Sequence, residues 1–296
     1  MKNSQSSSKS RKTVLITGAS VGIGAATARL FAENGYDLIV TGYSHQHELN
    51  QIVQYADSLG RQCHAYSVDF SDSASIDRFL DSLDREQLHF NLLINNAGIS
   101  RIGLIQDTSA DDWNALFQVN VAAVYRLCQY AVKKFLSERN RETSLLGQHS
   151  SVFSNGSETS GETVSCTNTG TARIFSGRNG TFSCPGKILN VSSVWGVCGA
   201  SCEAAYSATK GAVNSFTKAL ARELAPSHIP VNAVAFGAVD TAMNGHLSEE
   251  DRAVLLEEIP AGRMATPQEA AEIIWQMAGF GDYVTGQILV ADGGWT

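Results

Sequence analysis

"TVLITGASVGIGAATARLFAENG", residues 13–35, carries the reading of the fold. A short apolar, β-branched run ends in Gly18, Gly22 and Gly24. A stretch with apolar residues at helical spacing follows. Strand, glycine turn and helix in that order form a phosphate-binding unit. Glycine lets the backbone approach a pyrophosphate, and the helix N-terminus favours its negative charge. The spacing is G-x-x-x-G-x-G. Tight turns collect glycine for other reasons too, so the position directly after the first strand matters more than the count.

Six more runs read as strands: "DLIVTG" (37–42), "QCHAYSVD" (62–69), "NLLINNAG" (91–98), "KILNVSS" (187–193), "PVNAVAFG" (230–237) and "QILVADGG" (287–294). Several are almost continuously apolar, as in strands covered on both faces. Helical stretches separate them, one with Val213, Phe216, Leu220 and Leu224 on one face. The alternation predicts a single α/β domain over 13–296: a Rossmann-like, doubly wound parallel sheet with helices on both faces. Ligands of such sheets bind at the carboxyl ends of the strands.

The bulk composition excludes several classes. There are 22 Lys+Arg against 29 Asp+Glu, so no basic surface points to nucleic acid. No run approaches the ~20 apolar residues of a membrane span. "MKNSQSSSKSRK" (1–12) has no apolar core and reads as a polar disordered tail rather than a secretory signal. The six cysteines contain no C-x-x-C pair and no histidine at zinc spacing, so no metal site is expected. Reduced thiols in a cytoplasmic protein account for them, Cys198 and Cys202 included.

One segment breaks the rhythm. Of the 46 residues from Asn140 to Pro185, 26 are Ser, Thr, Gly or Asn. That composition buries little, so the segment reads as a low-complexity insertion between a helix ending near Ser137 and the strand at Lys187. A small hairpin around "ARIFSGRNGTFS" (172–183) fits its glycine and asparagine. Asn155 and Asn179 begin sequons, which in the absence of a secretory signal read as chance matches.

The second strand runs into "TGYSHQHEL" (41–49). An acid at its end would bind the 2′-hydroxyl of NAD. Gly42, Tyr43, Ser44 and His45 supply none, which favours NADP over NAD. No arginine or lysine is visible to pair with the 2′-phosphate, and Val21 stands where an arginine would have helped. Asp69, followed by Phe70, either accepts from the adenine amino group or caps the next helix. Ala97 and Gly98 in "NNAG" give a flat floor at the fourth strand.

Ser193 precedes Tyr206 by thirteen residues, and Lys210 follows Tyr206 by four. Residues i and i+4 share a helix face. An ammonium there favours the phenolate and lowers the tyrosine pKa, which suits proton exchange with a substrate oxygen. Ser193 holds the same oxygen. This is the requirement of hydride transfer between a carbonyl and an alcohol.

"TGASVGIG", "NNAG", Ser193, "YSATK" and "GAVDT", in this order and spacing, resemble the short-chain dehydrogenase/reductase family. The stretch from Ile259 to Thr296 is similar to 3-oxoacyl-[acyl-carrier-protein] reductases. The resemblance implies that Asn120, in "LFQVNVAAV", holds a water in a proton relay behind Lys210. It implies that Lys210 also binds the nicotinamide ribose, and that Thr241 and the backbone near Val239 hold the carboxamide. The cofactor positions are then Gly18, Ser20, Gly22, Ile23, Gly24, Tyr43, Ser44, Asp69, Phe70, Asn96, Ala97, Gly98, Tyr206, Lys210, Val239 and Thr241. Arg222 lies where carrier-protein reductases present an arginine to the acidic carrier; by itself it reads as a solvated helix charge. A homotetramer built on two long helices and the last strand is implied as well. The chain departs from the family at Phe236-Gly237, where Pro-Gly is usual, and in its insertion.

The expected activity is reduction of a ketone, a 3-oxoacyl thioester first among substrates. A sugar, polyol or other small secondary alcohol is the second possibility, and the loop at about 242–262 decides between them. A catalytically silent dinucleotide-binding protein is the reading from another class; intact Ser193, Tyr206 and Lys210 speak against it.

The insertion enters at the amino end of its strand, opposite the cofactor. Replacing a short turn with a segment of this length costs about 2 kcal/mol of loop-closure entropy, at ~0.6 per doubling. Exchanging Asn140–Pro185 for a short glycine-containing turn is therefore expected to preserve melting temperature and kcat/KM. A shortened protein that folds but turns over nothing would place the insertion at the active site instead.

Overall fold

The computed structural model describes residues 12–150, 184–245 and 247–296. Among these, seven parallel strands form one sheet: β1 (Thr13–Ile16), β2 (Asp37–Gly42), β3 (Cys63–Ser67), β4 (Leu92–Asn95), β5 (Lys187–Ser193), β6 (Val231–Phe236) and β7 (Ile288–Ala291). Their order is β3-β2-β1-β4-β5-β6-β7. All seven expected strands are present, trimmed at their ends. The helices are α1 (Gly22–Glu33), α2 (Gln46–Ser58), α3 (Ser73–Arg85), α4 (Ala110–Phe117), α5 (Ala123–Ser150), α6 (Trp195–Cys198), α7 (Ala204–Leu224), α8 (Glu249–Glu258) and α9 (Pro267–Ala278).

Alternation along the strands divides the core into two layers. Val14 and Ile16 of β1 face a cluster with Phe31, Ile52 and Ile274 from α1, α2 and α9. Leu15, between them, faces Phe79, Leu127 and Leu224 from α3, α5 and α7. The central strands are buried on both faces, while β3 and β7 at the edges are half-exposed. The strand order reverses between β1 and β4, so a crevice opens at their carboxyl ends.

Three expectations need revision. The helix expected to end near Ser137 continues to Ser150. Glu138, Arg139, Arg141, Glu142, Leu145 and Leu146 are good helix formers, and averaging composition over the whole segment hid them. Asp69 does not cap the following helix: Asp72 does, accepting from the Ala74 amide at 2.9 Å. The loop at 242–262 is largely helical, with a 3₁₀ turn at Ala242–Asn244 and α8 behind it.

The suggested hairpin at 172–183, both sequons and all but the last residue of the polar tail lie outside the described residues. The flank Cys184–Gly186 does enter at the amino end of β5, away from Ser193. Phe236 is buried in the core beside Val234 and Val239, so its ring fills the interior instead of the pocket rim. No helix among the described residues is long and apolar enough to cross a membrane.

Candidate active site

The glycine turn is clasped by β4. Thr17 Oγ1 accepts from the Asn96 and Ala97 amides, both at 3.0 Å, and Asn96 Nδ2 donates to the carbonyls of Thr17 (2.9 Å) and Gly18 (3.0 Å). Gly18 has φ +65° and Gly22 φ +58°. A Cβ on Gly24 would lie 2.1 Å from the Gly18 carbonyl oxygen. On Gly22 it would meet Thr241 Cγ2 at 3.2 Å, so the chain beyond β6 reaches this turn. Ile23 opens α1 beside it.

The next element of the site is a hydroxyl. Ser20 Oγ is buried and has no hydrogen-bond partner among the described residues. It presses on the end of β2, where a Cβ on Gly42 would lie 2.0 Å away. Leaving a buried hydroxyl unpaired is unfavourable by about 1–3 kcal/mol, so its place beside the glycine cradle fits a polar ligand. Beyond Gly42, Tyr43 is exposed, and Ser44 Oγ lies 2.9 Å from His45 Nδ1. The Asp69 carboxylate accepts the Ser71 amide at 2.8 Å and hydroxyl at 2.6 Å, and it lies near enough to Tyr43 to raise the phenol's pKa. Ser71, above all, holds the Asp69 carboxyl below its usual range. Phe70 is buried beside it.

Ser193 ends β5, and Tyr206 and Lys210 lie one turn apart in α7, all three at least nine-tenths buried. Lys210 Nζ donates to the Val191 carbonyl at 3.0 Å and lies 5.6 Å from the Tyr206 ring centroid. Asn120 sits on a π-helical turn, Gln118–Ala122, between α4 and α5. That turn delivers its amide to three partners: it accepts from the Ile99 amide (2.9 Å) and donates to the Ile99 carbonyl (2.9 Å) and Thr209 Oγ1 (3.1 Å). A Cβ on Gly98 would contact both Asn120 Oδ1 (3.2 Å) and Lys210 Nζ (3.5 Å), so these two groups meet across that glycine. Val239 is buried, and its carbonyl accepts from Asn244 Nδ2 at 2.8 Å.

The expected lowering of the tyrosine pKa is not found. Burial pushes Tyr206 well above its ordinary value; the Glu203 carboxylate adds to this, and a hydrogen bond with Ser193 opposes it. Burial pushes Lys210 down to about 8. Desolvation dominates both shifts because both groups have left water. The tyrosine is thus a neutral hydroxyl, the form that gives a proton. The contributions of Glu203 and the π turn were missed from sequence, because neither lies within a legible motif.

A glycine-clasped crevice at the switch point, next to a buried Ser, Tyr and Lys, defines a dinucleotide-binding oxidoreductase. Residues 12–150 match the short chain dehydrogenase family, and residues 162–296 match its enoyl-(acyl carrier protein) reductase branch. The chain is 32% identical to a 3-oxoacyl-[acyl-carrier-protein] reductase of Thermotoga maritima, over 96% of this chain and 97% of that one. It is equally similar, at 32%, to an uncharacterized oxidoreductase of Bacillus subtilis, covering 96% and 98%. A Burkholderia cenocepacia short chain dehydrogenase in complex with NADP superposes with a TM-score of 0.74, at 26% identity and 96% and 97% coverage. The chain belongs to the short-chain dehydrogenase/reductase family and is an oxidoreductase that binds a nicotinamide dinucleotide.

The buried ammonium makes a measurable prediction. An unfolded chain holds the lysine proton up to pH ~10.4, whereas the cofactor-free folded chain gives it up near pH 8. The unfolded state therefore binds more protons between these values, and stability rises with pH there. Below pH 8 the unfavourable burial of the charge is fully present. The melting temperature of the native protein, relative to Lys210→Met, is expected to climb between pH 7 and 9.5. A pH-independent difference would contradict this.

Proposed function

We propose that the protein reduces a ketone to a secondary alcohol with NADPH, and that the ketone is a 3-oxoacyl thioester. The observation that carries the reading is the protonated Tyr206 hydroxyl, buried beside Ser193 and next to the glycine crevice. Similarity to the Thermotoga maritima carrier-protein reductase supports the thioester. The dinucleotide, when bound, supplies the hydride. Gly18, Ser20, Gly22, Ile23 and Gly24 hold its pyrophosphate side; Tyr43, Ser44, Asp69 and Phe70 its adenosine; Asn96, Ala97, Gly98, Val239 and Thr241 its nicotinamide half.

In this reading Ser193 Oγ donates to the substrate carbonyl oxygen and fixes its position. Tyr206 Oη gives its proton to that oxygen as negative charge develops. Lys210, still largely protonated at neutral pH, stabilises the phenolate left behind and orients the ribose. Asn120 holds the turn behind Lys210 and a water of the proton relay. Acyl carrier protein is the partner that delivers the thioester, with Arg222 facing its acidic surface. Exposed Leu289 and Val290 on β7 and exposed Tyr125 on α5 support a homotetramer built on those elements. A cytoplasmic location fits the exposed free thiols of Cys198 and Cys202.

The preference for NADPH rests on what lies beyond β2. Residues 43–45 carry no acid, the Asp69 carboxylate is engaged by Ser71, and the buried Ser20 hydroxyl has no hydrogen-bond partner among the described residues. Tyr43→Asp is expected to shift the NADPH-to-NADH ratio of dissociation constants by tenfold or more toward NADH, about 1.4 kcal/mol. Tighter binding of NADH by the unmodified protein would overturn the preference.

Tyr206→Phe removes the proton donor and keeps the ring. It is expected to lower kcat on a 3-oxoacyl thioester by ~10²–10⁴-fold, with NADPH affinity nearly unchanged. A variant with near-normal kcat would refute the mechanism.

A further inference from the structure

Trp195 and Trp295 meet edge to face, with ring centroids 4.7 Å apart and planes at 62°. Neither the glycine turn nor the proton-transfer groups require this contact. Trp195 opens α6, two residues after Ser193, and its backbone N–H donates to Ser193 Oγ at 3.2 Å. Its half-buried ring packs on the small cluster of Leu116, Ala205 and Tyr206. One residue therefore hydrogen-bonds the serine and packs on the cluster that contains the tyrosine.

Trp295 reaches it from beyond β7 on a segment tied down at several points. The Asp292 carboxylate accepts from the Gly294 amide (2.9 Å), the Thr296 amide (2.8 Å) and the Thr296 hydroxyl (2.9 Å). The Gly293 carbonyl accepts from the Ala261 amide at 3.1 Å, and a Cβ on Gly293 would lie only 2.9 Å from Ala261 Cβ. Ala261 lies near the end of the segment 242–262, which is expected to bound the substrate. Loop, Trp295, Trp195 and Tyr206 thus form one continuous wall. Across from it, the Gly103 amide donates to the Cys202 carbonyl at 2.7 Å and joins the connections after β4 and β5. Ile102, Leu104 and Val197 stand exposed around that junction, giving the opening an apolar rim.

We infer that Trp295 is a specificity-determining residue: by backing Trp195 it limits the size of the group beside the reacting carbonyl. The site then takes slender or flat apolar substituents and rejects branched ones. This rests on the ketone-reductase reading above.

The test is a series of 3-oxoacyl thioesters with NADPH, from an unbranched methyl end to branched and phenyl ends. Native protein is compared with Trp295→Ala, Trp295→Leu and Trp295→Phe, with melting temperature and NADPH affinity measured alongside. The alanine variant is expected to raise kcat/KM for branched relative to methyl substrates about tenfold, mainly through KM, a change of the size that pocket volume brings. The phenylalanine variant is expected to stay close to native, and NADPH affinity to stay constant. Where the alanine variant does not fold, the leucine variant, which keeps apolar bulk but loses the ring, gives the same comparison. Unchanged selectivity in folded variants, or a uniform fall in kcat across the series, would overturn the inference. A native protein inactive on every substrate would instead refute the reductase reading, and this inference with it.

Discussion

The turn between β1 and α1 has no room for a side chain, and the rest of the site is arranged around that constraint. At Gly24 even a methyl group would run into the Gly18 carbonyl. Thr17 and Asn96 close the same turn from the β4 side with four hydrogen bonds. Because β1 and β4 are neighbours where the strand order reverses, the clasp joins the two halves of the sheet. Holding the turn to β4 also fixes Gly98, and with it the spot where Asn120 and Lys210 converge. The glycine turn and the spot where Asn120 and Lys210 converge are thus held by one clasp between Thr17 and Asn96.

Burial then decides the chemistry of the groups so placed. Exposed, Tyr206 and Lys210 would be an ordinary i, i+4 pair with little mutual influence. Buried, each is driven toward its neutral form: the tyrosine keeps its proton and the lysine holds its own less firmly. Glu203, at the start of α7, pushes the tyrosine further the same way. A tyrosine kept neutral in this way carries the proton that the proposed carbonyl reduction calls for.

The strands were readable because β1, β2, β4, β5 and β6 are buried on both faces, which leaves a nearly unbroken apolar run in each. Gly18, Tyr206 and Lys210 could be singled out because they are spaced along one turn or one helix, and Ser193 because it ends a strand-like run thirteen residues before Tyr206. What escaped was set by contacts between distant segments. Tyr43 meets Asp69 because β2 and β3 run in register, with Gly42 opposite Ser67. Asn120 sits on a π turn that "FQVNVAA" does not advertise. The tyrosine pKa was misjudged because spacing shows which charge is near but not how much water is left. The long α5 was lost by averaging a helix-forming stretch with the Ser/Thr-rich segment after it.

The Phe236 departure shows how such a fold absorbs a change at its functional edge. The backbone of Phe236 keeps its ladder position: it pairs with Ala291, and its carbonyl accepts from the Val194 amide at 3.0 Å. Only the side chain differs, and it turns inward to join Val234, Val239 and the α9 residues Ala270 and Ile274. Gly237, directly after it, retains the requirement for glycine, since a Cβ there would lie 2.8 Å from Asp292 Cα. Asp292 in turn anchors Gly294 and Thr296. The same close approach that lets the chain leave β6 toward Val239 and Thr241 thus seats the segment carrying Trp295, and the two sides of the cleft are tied through a position too tight for any side chain.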